Sequence, residues 1–171
     1  MRLKSKPMPM PNPRSVQGFA LIEVLVSVVI LAVAALGYAA LQLRGLSANS
    51  GAMWRSKATV LAYEAADRVR ANIPGATAGQ YDNLINPAVT SACTLVNVCS
   101  TTQMAARDFS QWRATVLSAL PSGSGVICLD STANDGTATS PACDGSGTQV
   151  AIKVFWSERG VASRFVNVVR P

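Results

Sequence analysis

The chain has 171 residues, is 49% hydrophobic and carries a formal charge of +6 from fifteen basic and nine acidic residues, with no histidine. That length holds one modest domain and a long helix, and the missing imidazole removes the usual general base and every triad built on it. Four of the basic residues (Arg2, Lys4, Lys6 and Arg14) fall within the first eighteen positions, so the remainder carries only +2 and offers no electrostatic footprint for nucleic acid.

Residues 1–18 place Pro7, Pro9, Pro11 and Pro13 at alternate positions and are expected to be extended. Met8 and Met10 offer alternative starts that would leave Arg14 as the leader's one charge. From Phe19 to Leu41 the chain is almost continuously apolar. A hydrocarbon core of about 30 Å needs about 20 helical residues, so this run is long enough to span one. The basic leader stays on the cytoplasmic side and directs the rest of the chain outward. Glu23 breaks the run. An ionised carboxylate deep in a bilayer costs about 2.5–3.5 kcal/mol on insertion scales, which marks the residue as a functional candidate. Cleavage between Gly18 and Phe19 would create an α-amine with a reference pKa of about 7.7–8.0, roughly one helical turn from Glu23. In two chains offset along a filament, one subunit's amine can meet the other's Glu23, turning two burial penalties into a contact that sets register.

The stretch Gly18-Phe19-Ala20-Leu21-Ile22-Glu23 and the apolar run after it resemble the class III signal of type IV pilins and type II secretion pseudopilins. Within that family the chain is most similar to PilV-type minor pilins. The similarity is strong over the N-terminal helix and looser around Trp112, Leu120-Pro121, Gly125-Val126-Ile127-Cys128 and Val154-Phe155-Trp156-Ser157-Glu158. The resemblance implies cleavage after Gly18 by a prepilin peptidase, N-methylation of Phe19, and an α+β fold with a long N-terminal helix packed on a small antiparallel sheet. Two other readings compete for the same run. An uncleaved signal anchor leaves Glu23 unexplained, and a conventional secretory signal would be cut near Ala32-Val33-Ala34 or Tyr38-Ala39-Ala40, exposing Ala35 or Leu41.

The helical pattern continues to about Asn72, where Ile73-Pro74-Gly75 stops it, giving about 80 Å of helix at 1.5 Å per residue. Its second half is expected to be amphipathic, with Met53, Val60, Leu61 and Val69 lining the buried side and Arg55, Lys57, Glu64, Asp67, Arg68 and Arg70 outside. Glu64 and Arg68 form an i,i+4 pair in the favourable order. Gly45, Gly51 and the polar residues between them make a weak helix former, so any kink or melting is placed at 45–51.

Residues 75–103 read as irregular. Thr101 or Thr102 is expected to cap a helix from about Gln103 to Ala119, whose Phe109, Trp112 and Val116, with Leu120 just beyond, form one apolar stripe. Trp112 is read there as core packing in preference to a ligand platform. Pro121 to Gly125 then breaks the helix. Three strands come next, at Val126–Leu129, Gln149–Ser157 and Arg164–Val169, with a turn through Glu158-Arg159-Gly160. Val150, Ile152, Val154 and Trp156 alternate onto one face, as do Phe165 and Val169, which points to an antiparallel sheet buried on one side against the helix after residue 52.

Four cysteines in an outward-facing domain imply two disulfides with three connectivities open. Cys93–Cys99 and Cys128–Cys143 are favoured because each closes a local loop. A structural zinc is disfavoured by the spacing and the absence of histidine. Asp130, Asn134 and Asp135 invite a calcium reading, but the glycine and terminal glutamate of an EF-hand are missing, so 130–148 is read as a solvated polar loop. No nucleophile-elbow, P-loop or dinucleotide motif occurs. Arg107, Arg113, Lys153, Arg159 and Arg164 are too scattered to claim a DNA stripe.

The resulting expectation is a non-enzymatic minor pilin with no cofactor or metal. It has a cleaved leader (1–18), a membrane or filament-core segment (19–41), an amphipathic continuation (42–74) and a globular part (75–171). Its expected partners are the prepilin peptidase, major and minor pilins, and inner-membrane lipid, with no specific nucleic acid. It is placed in the inner membrane, globular part periplasmic, and then in the extracellular pilus. A pseudopilin and a membrane-tethered ligand- or DNA-binding module are the alternatives.

Overall fold

The computed structural model describes residues 20–84 and 98–171. Helix α1 runs Leu21–Ala71, α2 Ile73–Thr77 and α3 Thr101–Ala119; β1 is Ser124–Leu129, β2 Val150–Glu158 and β3 Val161–Val169. The three strands form one antiparallel sheet in the order β1-β2-β3, with Ile127 opposite Ile152 and Val154 opposite Phe165. This is the α+β arrangement of a long N-terminal helix and a small sheet that the sequence led us to expect. The contacts divide the chain into two units, Met1–Leu46 and Ser47–Pro171. Every described residue of the first is exposed.

In the second unit the core is built on alanines. Ala58, Leu61, Ala62, Ala65, Ala66 and Val69 are the buried residues of α1, spaced as one face of a 3.6-residue helix. Met53 and Val60, expected on that face, are 45% and 65% exposed. Hydrophobicity alone favours large side chains at inner positions, whereas small ones let neighbouring elements approach the backbone closely. Phe109, Trp112, Val116 and Leu120 share this core with Val150, Ile152, Val154, Trp156 and Val169, Phe165 packing at its edge. The Trp112 indole N–H donates to Leu61 O at 2.8 Å, and its ring lies so close to Gly125 that an added Cβ would stand 2.6 Å from it.

Helix α1 is continuous across 45–51. From Ser47 onward the weak sequence is fastened to the β2–β3 turn: Ser50 Oγ donates to Glu158 Oε1 at 2.6 Å, and Arg159 donates to Ser47 Oγ. Arg159 and Gly160 both have positive φ, 52° and 80°, the two-residue turn whose twist suits a hairpin. Up to this turn β2 runs one residue past its expected end, to Glu158, having started one later at Val150, and β3 begins three residues early, at Val161.

Ile73-Pro74-Gly75 ends α1 but also opens α2, contrary to the irregular reading of 75–103. Asn72 caps α2 through Gly75 N–H, and its side-chain amide donates to Thr101 O at 2.8 Å and to the Tyr81 hydroxyl at 3.2 Å. Burial pushes the Tyr81 hydroxyl pKa well above its usual value. The N-cap of α3 is Ser100 rather than Thr101 or Thr102, and it forms a capping box with Gln103. The Glu64–Arg68 pair is present at 2.8 Å, and Arg68 also reaches Asp108 at 3.5 Å.

The expectation of a sheet buried on one side fails at β2. Val126, Cys128 and Phe155 make a second small core with Cys143 on the opposite face, and Lys153 there is completely buried. The segment 130–148 folds back over this face, so it is not simply a solvated loop: Asp130 is fully buried. Lys153 therefore cannot contribute to a basic surface.

Candidate functional site

Between residues 20 and 46 the large apolar side chains are 47–89% exposed. Leu21–Ala71 is the one helix among the described residues that is long and apolar enough to cross a membrane. Near its start the Glu23 N–H donates to Ala20 O at 2.9 Å, and Ser27 Oγ donates back to Glu23 O at 2.7 Å, so the polar side chain of Ser27 is satisfied within the helix. The Glu23 carboxylate is exposed and makes no ion pair with any described residue. Gly18 and Phe19, the expected cleavage and methylation positions, lie outside the described residues.

A second cluster sits in the globular unit. A disulfide joins Cys128 to Cys143. Cys99 is disulfide-bonded as well, while its expected partner, Cys93, lies outside the described residues. By the chain-entropy account, closing a loop of about 15 residues stabilises by about 3 kcal/mol. Inside this loop Lys153 Nζ contacts Asp130 Oδ2 and lies 2.7 Å from Asp135 Oδ1. It also donates to Pro141 O at 2.8 Å. Hydrogen bonding to Lys153 and Thr132 holds the Asp135 carboxyl below its usual range. Arg164 ties the outer turn through Gly136 O and Asn134 O at 2.8 and 2.7 Å. At the loop's base Asp144 accepts from the Ser131 hydroxyl and from the Ser131 and Ser146 N–H groups. Those bonds lower its carboxyl pKa well below the usual range.

The structure thus brings together Asp130 and Asp135, two of the three residues weighed for calcium, but around a lysine ammonium. Among the described residues no group of three or more metal-ligating side chains gathers. Sequence reasoning missed Lys153. Its one signal was a charge in the middle of a strand whose neighbours Ala151 and Phe155, on the face opposite the alternating stripe, are themselves apolar.

Residues 13–39 match a family model described as the prokaryotic N-terminal methylation motif. Residues 40–110 match another described as type IV pilin Tt1218. No curated protein and no solved structure matches the chain.

Proposed function

We propose that this chain, which matches the N-terminal methylation motif over residues 13–39 and the type IV pilin model over residues 40–110, is a minor pilin of the PilV type, a structural subunit and the substrate of a processing enzyme. In this reading the prepilin peptidase cuts between Gly18 and Phe19 and methylates Phe19. Residues 19–41 first span the inner membrane, with the globular part on the periplasmic side, and then enter the filament core among major and minor pilins. The Phe19 amine of one subunit pairs with Glu23 of its neighbour. The incorporated subunit primes or modifies assembly and thereby supports twitching motility and adhesion.

One observation carries this reading: the methylation-motif match lies on an apolar, exposed helix start with a lone carboxylate at Glu23. Burying each large apolar side chain there gains about 1.5–3 kcal/mol, which lipid and neighbouring subunits can supply in turn. A paired ammonium offsets the cost of burying Glu23. Mass spectrometry of the mature N-terminal peptide is the test. A peptide starting at N-methylated Phe19 is expected; retention of residues 1–18, or a start at Ala35 or Leu41, would overturn the reading. Recovery of the chain in sheared pili at a small fraction of the major subunit separates a minor pilin from a secretion pseudopilin.

A further inference from the structure

The buried face of β2 contains a constellation that the pilin reading does not use. Lys153 and Asp130 have no solvent exposure, and their side chains meet with the ammonium against Asp130 Oδ2. That oxygen has no hydrogen-bond partner among the described residues apart from this ion contact. The other oxygen, Oδ1, accepts from the Thr132 backbone N–H at 3.0 Å. A second carboxylate stands beside the pair: Asp135 Oδ1 is 2.7 Å from Lys153 Nζ, and Thr132 Oγ1 bridges Asp135 Oδ2 at 3.0 Å to Asp130 Oδ1 at 3.4 Å. The surrounding wall is apolar, formed by Val126, Phe155 and the Cys128–Cys143 disulfide.

We propose that Lys153 and Asp130 become joined by an intramolecular amide bond, with Asp135 as the proton carrier. The Lys153 ammonium passes a proton to Asp130 Oδ2 across their contact, leaving an amine beside a carboxylic acid. The amine nitrogen then attacks Asp130 Cγ. Asp135 takes the proton that Nζ sheds and delivers it to Oδ2, which leaves as water. Oδ1 holds the developing negative charge against the Thr132 N–H and remains as the amide oxygen. The net change is one ammonium and one carboxylate giving one amide and one water, with no oxidant, reductant or cofactor. Fixed contact between the reacting groups removes the entropic barrier that the reaction meets between free molecules. Replacing a buried ion pair by a neutral amide removes the desolvation penalty of both charges. The remaining amide N–H is directed to Pro141 O. The product is a covalent staple from the residue after β1 to the middle of β2.

The test is peptide mass spectrometry of the full-length protein purified in detergent, reduced and alkylated before trypsin digestion. An amide at Lys153 blocks trypsin there, so the expected product is a single peptide covering 114–159, lighter by one water. Unmodified mass with normal cleavage after Lys153 would overturn the proposal. So would loss of water with normal cleavage, since Asp135-Gly136 and Asp144-Gly145 are able to dehydrate to succinimides without touching Lys153. Asp130→Ala is expected to restore full mass and cleavage. Asp135→Asn is expected to leave most molecules unlinked, and full linkage in that variant would remove Asp135 from the mechanism.

Discussion

Between residues 20 and 46, Leu, Ile and Val cover every side of α1 and all stand exposed, whereas from Ala58 to Val69 the same helix buries a face made mostly of alanine. The first stretch has the larger apolar surface, and none of the described residues covers it. The second has little side-chain bulk but excludes water completely at Ala58, Ala62, Ala65 and Ala66. Hydrophobicity therefore measures how much a segment gains from burial, and side-chain size decides whether burial occurs within the chain. Large side chains all round a helix call for lipid or other copies as solvent, while small ones on one face let a backbone come close.

The sharpest way to break this contrast is Glu23→Val. If the apolar stretch serves only intersubunit contacts, the variant is processed normally and keeps the wild-type unfolding midpoint but is lost from pili. Normal incorporation, counted by quantitative mass spectrometry of sheared filaments, would dismiss the pairing with Phe19. In the globular unit, Trp112→Ala removes a buried indole and its hydrogen bond to Leu61 O. A loss of about 3–5 kcal/mol is expected in urea unfolding followed by circular dichroism. Ala65→Leu overpacks the alanine face and is expected to cost about 1–3 kcal/mol, while Leu25→Ala in the exposed stretch leaves that midpoint unchanged; equal effects would erase the distinction. Ser100→Ala removes the capping box of α3 and is expected to cost about 0.5–2 kcal/mol by the same measurement.

The smallest effect is an acid one, confined to the loop. The carboxyl pKa of Asp144 is lower in the folded chain than its ordinary 3.8. Its bonds to Ser131 and Ser146 are therefore fully formed above that value and are lost as pH falls through the lower folded one. Hydrogen exchange at the Ser131 and Ser146 amides, corrected for the intrinsic rate, is expected to speed up only below the usual carboxylate range. Acceleration near neutral pH would count against this account.

Much of this was readable in advance. The alternation at Val150, Ile152, Val154 and Trp156 and the Phe109–Trp112–Val116 spacing are periodic, and period comes directly from helix and strand geometry. The Ser100-x-x-Gln103 cap is equally local, one position ahead of the threonines that the pattern also offers as caps. Lys153 is a different matter. In a strand that alternates, a lysine out of phase with the apolar residues reads as solvent-facing, and its partner Asp130 lies across a long polar segment that reads as loop.

Local rules were enough for the apolar helix with its single carboxylate and for the strand and helix periods, because each depends on residues within a few positions of one another. The use of alanine as the inner face, the burial of Lys153 against Asp130 and Asp135, and the covering of the second sheet face came from folding. These depend on which distant segments meet, and the meeting is set by side-chain volume and by charge compensation summed over the whole unit.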